Sequence, residues 1–271
     1  MNDEIHFTNQ RRIRAVNTAA DSDNKIHNDR VAAAYGFLGG LVPGVTVYGY
    51  LASAVLDYFG LKWLQQGAMD VLFQQPVYDG EDVVVNLGAE ADQRVRVEIA
   101  GRASATGWIH NEPPPDLAGY GQRPLAGCPP ASHETLALGS VLGTLVERLD
   151  LSQSRVSAPL DGAVGPDRLA YPAVLLALAN EILATNVELG PWIHVASEVR
   201  KFSTVRDGEN IRVLGRVEDL YERKGHEFVV LDVVIVVEDR VAEHVRHTAI
   251  WRPRQRLTAN LRKNPAADER G

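Results

Sequence analysis

The chain has 271 residues, a single cysteine and a formal net charge of −7. It is long enough to bury a sizeable core, as one large domain or two ordinary ones. Its acidic balance argues against a nucleic-acid or anionic-membrane partner, which would need a basic surface field. Cys128 rules out an intrachain disulfide, and no Cys or His is spaced near it as a metal ligand, so it reads as an incidental thiol. The opening MNDEIHFTNQRRIRAV has no apolar core of signal-peptide length. The longest apolar run, 228–237, is interrupted by Asp232 and too short for a bilayer. The cytoplasm is the expected compartment.

In chain order, residues 19–45 come first. Asp21, Asp23, Asn24, His27 and Asp29 crowd together just ahead of the Gly-rich GFLGGLVPGV. TVYGYLASAVLDYF (46–59) is apolar nearly all round, as a buried helix is. VYDGEDVVV (77–85) marks a turn, and RVRVEIAG (94–101) alternates Val95, Val97 and Ile99 against Arg96 and Glu98, as a half-buried strand does. ASATGWIHN (103–111) follows in the same period. Residues 111–132, NEPPPDLAGYGQRPLAGCPPAS, are rich in proline and glycine and predict an irregular linker. PAVLLALANEIL (172–183) is a second buried helix, with Pro172 suited to its first turn. VRDGENIRV (205–213) and NIRVLGRVED (210–219) lead to FVVLDVVIVVEDRVAEHVRHTAIWRP, one or two long strands. Residues 254–271 are charged and predict a frayed tail.

The two portions on either side of the linker resemble each other. Asp79 and Asp207, in matching Asp-Gly-Glu turns, lie 128 positions apart, and Pro43 and Pro172, beside the two helices, lie 129 apart. Matching landmarks in matching order suggest an internal duplication. The predicted organisation is one repeat over 1–110, the linker over 111–132, a second repeat over 133–253 and the tail over 254–271. A buried helix followed by period-two strands, twice over, points to an α+β double hot-dog fold. The two sheets can join edge to edge, which removes edges that invite aggregation.

At this point the crowded segment becomes informative. SDNKIHND, RVAAAYGF, LGGLVPGV and TVYGYLASAVL, in that order, resemble the signature of the MaoC-like hydratases, the (R)-specific enoyl-CoA hydratase and 3-hydroxyacyl dehydratase family. The resemblance spans roughly residues 20–85. The family's asparagine falls on Asn24, its histidine on His27, and the glycine of its His-Gly pair on Gly44. Three positions depart: Ser22 stands where the family has its catalytic aspartate, with Asp21 and Asp23 on either side. Lys25 replaces the proline after the asparagine, and Pro43 replaces the histidine before Gly44.

The resemblance implies reversible addition of water across the α,β double bond of an enoyl thioester carried by CoA or acyl carrier protein. It implies His27 and Asp23 as catalytic residues holding one water between them, with Asn24 and Gly44 meeting substrate. An imidazole exchanges protons near neutral pH because its ordinary pKa is roughly 6.5. The Gly44 N–H, at a helix start, would stabilise negative charge growing on the thioester oxygen. Asp21 stays open as the carboxylate in place of Asp23. Asp29 has a structural account as a cap or first-turn acid for 30–36.

Elsewhere the residues favour structural roles. His110, His133, His194, His226, His244 and His247 are scattered, and 244 and 247 fall on opposite faces of one strand, so no metal is expected and no cofactor is implied. Arg200-Lys201 and Arg223-Lys224 read as solvated strand ends rather than contacts for CoA phosphates. Asn180 and Glu181 are polar in an apolar helix, at an interface or a solvated edge. Glu181 also opens a second reading, since hot-dog thioesterases carry an acid on the central helix. A third, drawn from Ser22, is a non-catalytic thioester-binding protein. Pairing of two chains into a homodimer is left open.

Overall fold

The computed structural model describes residues 7–153 and 162–255, so the predicted tail lies, from 256 on, outside the described residues. The first portion runs β1 (Phe7–Arg14), α1 (Asp29–Ala34), α2 (Gly44–Phe59), α3 (Trp63–Gln66), β2 (Gly67–Phe73), β3 (Asp82–Ala89), β4 (Val95–Ile99) and β5 (Ala103–Ile109). The second runs β6 (Leu145–Arg148), β7 (Ala163–Val164), β8 (Leu169–Ala170), α4 (Pro172–Asn186), β9 (Ile193–Lys201), β10 (Asn210–Arg223), β11 (His226–Val237) and β12 (Arg240–Arg252). Ten strands form one antiparallel sheet in the order β1-β3-β4-β5-β2-β9-β12-β11-β10-β6, while β7 and β8 pair separately.

That order reads the same from both ends, and the two halves meet where β2 pairs with β9. A shift of 128 residues exchanges the Ala68–Arg200 and Leu72–Ala196 pairs of this register, so a pseudo-twofold axis passes through Asp70 and Glu198. Like charges face each other there, and each has its own cation: Arg200 reaches Asp70 at 2.6 Å and Arg246 reaches Glu198 at 3.3 Å. One edge of each half is thereby consumed, leaving β1 and β6 as the outer strands of the joint sheet.

Each half wraps one central helix. In α2 every residue from Val45 to Leu56 is buried, which explains why its sequence is apolar on all sides. Fully burying each Leu or Val contributes about 1.5–3 kcal/mol, and only the last turn, at Asp57 and Tyr58, reaches solvent. Helix α4 packs beside it, and the Tyr171 hydroxyl donates across to the Gly49 carbonyl of α2. The arrangement is the double hot-dog that the helix-then-strands pattern predicts. Among the described residues no helix is long and apolar enough to cross a membrane.

The segment 111–132 does more than connect. Its Leu117 and Tyr120 pack over Leu214, Val234 and Val236, on the outer face of the second half's sheet. This explains the apolar FVVLDVVIVV run of β11 on both faces: Val229, Leu231, Val233 and Ile235 face the helices, and Val234 and Val236 lie under the covering segment. The one acid of that run, Asp232, accepts hydrogen bonds from the Tyr120 hydroxyl at 2.7 Å and from Arg216 at 2.9 Å, with His244 at 2.6 Å.

One expectation is corrected. Lys201 is 2% exposed rather than a solvated strand end, and it is ion-paired with fully buried Glu243. It lies on the inward face of β9, where the neighbouring strand β12 presents Glu243 directly opposite. A basic dipeptide at a strand end carries no signal for a partner that lies on another strand.

Candidate active site

The segment between β1 and α2 is folded by its own short side chains. Asn24 caps a 3-10 turn, Lys25–His27, by accepting from the Ile26 N–H at 3.3 Å. Asn28 caps α1, accepting from Arg30 and Val31. Asp29, at the first position of α1, is a first-turn acid, and its carboxylate accepts from the Gly40 N–H at 2.7 Å. Gly40 then lies so close over His27 that a Cβ there would sit 2.0 Å from the His27 carbonyl oxygen. Only glycine permits that approach, and it presses the Gly-rich turn onto the loop.

The result is a fixed imidazole. His27 Nδ1 lies 2.7 Å from the Leu41 carbonyl, which can only accept, so the ring proton resides on Nδ1. Nε2 is left with its lone pair, 3.3 Å from the Asn24 side-chain nitrogen. Burial lowers the His27 pKa, which favours the neutral form. Asn24 also ties the loop to the second repeat: it donates to the Trp192 carbonyl at 3.0 Å and accepts from the Trp192 N–H at 3.2 Å.

Gly44 opens α2. Thr46 and Val47 donate their N–H groups to the Pro43 carbonyl, whereas the Gly44 N–H has no protein acceptor among the described residues. His194 of β9 packs against this glycine, with Nδ1 2.9 Å from where a Cβ would stand. Its Nε2 meets the Ser197 hydroxyl at 2.8 Å, and that hydroxyl meets His247 Nδ1 at 3.2 Å. All three side chains are buried, and burial pushes both histidines down, His247 to about 3. The second repeat thus supplies a neutral, hydrogen-bonded roof over the first repeat's helix start.

Two cavities meet at Asn24, His27, Pro43, Asn180 and Trp192. One, of about 230 Å³, is lined mainly by apolar side chains and reaches Gly44 and His194. The other, of about 850 Å³, runs along α4. Asp23 and Ser22 line the larger cavity, Asp23 as an exposed side chain, while Asp21 lines neither. The structure therefore gathers Asn24, His27 and Gly44 around one small space and sets Asp23 on the rim of its neighbour. No hydrogen bond joins Asp23 to His27; the partner of His27 Nε2 is Asn24. Among the described residues no group of three His, Cys, Asp or Glu side chains could hold a metal ion.

Sequence reasoning passed over Thr46, Trp192 and His194 as parts of this site. The one available signal was a histidine interrupting a strand pattern, and it named no partner. In the second repeat the position matching Gly44 is Pro172, which also opens its helix. The two helix starts, like the two Asp-Gly turns, are offset by 128 residues, so the prolines at 43 and 172 are not equivalents. Proline has no N–H to offer. The second helix start therefore offers no N–H at the position where Gly44 offers one.

No family model matches the chain, and no curated protein matches it in sequence. Solved structures match along nearly its whole length. A MaoC-like dehydratase aligns with a TM-score of 0.57 at 12% identity, over 92% of this chain and 98% of its own. A conserved hypothetical protein of Mycobacterium tuberculosis with a double hotdog fold aligns at 0.58 and 12% identity, covering 92% and 97%. A protein designated an oleoyl thioesterase, from Lactobacillus plantarum, aligns at 0.53 and 13% identity, covering 93% and 99%. At such identities the likeness is one of fold, and the chain is a double hot-dog protein of the shape that MaoC-like dehydratases share.

Proposed function

We propose that the chain is a hydro-lyase that reversibly hydrates enoyl thioesters, or dehydrates 3-hydroxyacyl thioesters, carried by CoA or acyl carrier protein. The observation that carries this reading is a neutral His27, whose Nε2 keeps the lone pair and meets only the Asn24 amide at 3.3 Å, together with the unpaired N–H of Gly44 beside one small cavity. In the hydration direction the thioester carbonyl accepts from the Gly44 N–H. Water attacks the β-carbon as His27 Nε2 takes its proton, and the charge that develops on the thioester oxygen is held by that N–H and the positive end of α2. His27 then returns the proton to the α-carbon, so that one water is added and the imidazole is neutral again. Asp23 is assigned to orient the water from the rim. Asn24 holds the loop against Trp192 and keeps Nε2 aimed at the cavity.

The test is hydration of a panel of enoyl-CoA thioesters, followed by loss of the conjugated absorbance, for wild type, His27→Ala and Asp23→Asn. Loss of activity in both variants supports both roles. Loss in His27→Ala alone moves the carboxylate role away from Asp23. Hydrolysis is the second reading, favoured by Glu181, which lines the larger cavity and whose carboxyl is pushed up by burial. Release of free CoA without hydration would select it. Binding without either reaction would leave a thioester-binding protein. Two chains pairing into a homodimer is part of the proposal, tested by solution mass.

A further inference from the structure

The larger cavity carries polar chemistry that the hydration step does not use. Thr46 is 1% exposed, lines this cavity, and its hydroxyl has no hydrogen-bond partner among the described residues. The Asn180 side-chain oxygen, on the same wall, is likewise buried and unpartnered there. Unpaired buried polar groups are costly in a finished structure, roughly 1–3 kcal/mol each, so both point to an occupant that pairs with them. Next along, Glu181 of α4 and Glu147 of β6 line the same space. Burial pushes up both carboxyls, and that of Glu147 is raised further by Glu181. Among the described lining residues the only guanidinium or ammonium group is that of Arg148, which donates to the Gly208 carbonyl at 2.9 Å.

The small cavity ends differently. Its lining includes His226, in the hairpin Arg223–Lys224–Gly225–His226. Arg254 folds onto that hairpin, its N–H on His226 Nδ1 at 3.1 Å and its side chain over Gly225. The reacting atoms belong between the two cavities, at His27 and Gly44. A thioester lying through them would place its phosphate-bearing carrier toward the basic hairpin and its acyl group toward the acid-lined cavity. A cavity of about 850 Å³ is within the usual range for a small-molecule site.

We propose that the acyl group occupies the cavity along α4, and that the preferred substrates carry hydrogen-bond donors, hydroxyl or ammonium, on the acyl chain beyond the reacting double bond. This rests on the thioester reading above. The hydroxyl of Thr46, the amide oxygen of Asn180 and the carboxyls of Glu181 and Glu147 can all accept from such donors.

The test compares three medium-length enoyl thioesters on one carrier: a plain alkyl chain, the same chain ending in a hydroxyl, and the same chain ending in an amine. Each is run with wild type, Glu181→Leu and Glu181→Gln. The corresponding saturated thioethers, which cannot react, are titrated in parallel by calorimetry. The expected result is a preference of about tenfold in kcat/KM for a donor-bearing chain, as one hydrogen bond to a partly exposed carboxyl predicts. That preference should shrink in both variants. The hydroxyl and amine arms identify which donor the carboxyls select. Equal rates on all three chains would overturn the proposal. So would a rise in KM in Glu181→Leu that is the same for every chain, since it would place the carrier arm in this cavity. If no thioester is hydrated, the reaction reading fails on its own, and the thioether titrations decide: tighter binding of donor-bearing chains supports the proposal, and no difference overturns it.

Discussion

The two repeats share one structural device and differ at the chemistry. In the first, Glu81 accepts from the Tyr78 N–H at 3.1 Å and pairs with Arg102, which also donates to the Pro76 carbonyl at 2.6 Å. In the second, Glu209 accepts from the Arg206 N–H at 2.7 Å and pairs with Arg240, which donates to the Thr204 carbonyl at 2.7 Å. The Asp-Gly turn and its arginine clamp are thus preserved atom for atom. The helix starts are not: Gly44 offers an N–H where Pro172 offers none. On the β strands at the dyad, the positions of Met69 and Phe73 in the first repeat are taken by Ser197 and Lys201 in the second, at the same offset of 128. A duplicated frame keeps what closes its turns and is free to change what surrounds its helix starts. Here the first repeat holds the candidate reacting residues, and the second supplies Trp192, His194 and the wall of α4.

The largest effect expected from breaking this asymmetry is at His27. His27→Ala should lower kcat for hydration by about 10²–10⁴-fold, with thermal unfolding little changed because the side chain lines a cavity.

Next is Lys201. Lys201→Met leaves Glu243 buried and alone, and should destabilise the fold by about 3–5 kcal/mol, read by denaturant unfolding. The double variant Lys201→Met with Glu243→Leu makes this part of the second repeat apolar, as Phe73 makes the first. It should recover most of that loss; a double variant as unstable as the single one would refute the pairing account.

A smaller effect belongs to pH. His247 titrates at about 3 in the folded chain, against roughly 6.5 when unfolded. His194 is pushed down in the same direction. Between these values the unfolded chain binds more protons, so stability should fall as pH drops below about 6.5. The decline should begin above the carboxylate range and flatten in His247→Gln, as measured by unfolding at stepped pH.

The smallest effect is at Pro172. Pro172→Ala gives the second helix an N–H without bringing a histidine to it, so hydration activity should stay unchanged. A gain in activity would show that the second helix start already has the rest of a site.

Much of this was legible along the chain. Two buried helices, the period-two strands and the Asp-Gly turns follow from side-chain periodicity and turn chemistry, which are local. The loop 21–29 is legible for the same reason: Asn24, Asn28 and Asp29 act on backbone groups within a few residues or on the adjacent Gly-rich turn. The irregular look of 111–132 was legible too, but its covering role was not, because Tyr120 meets Asp232 from over a hundred positions away in the chain. Lys201 was misjudged on the same ground.

By itself, then, the sequence determined that the chain holds two helix-and-sheet repeats, with a histidine loop before the first helix. Only the tertiary structure decided that His27 is neutral with its lone pair on Nε2 beside Asn24, that His194 roofs Gly44, and that Glu147 and Glu181 meet in one cavity along α4. Helix, strand and turn depend on neighbours within a few residues. Burial, proton affinity and the walls of a cavity depend on side chains brought together across the pseudo-twofold axis, and no local pattern specifies those.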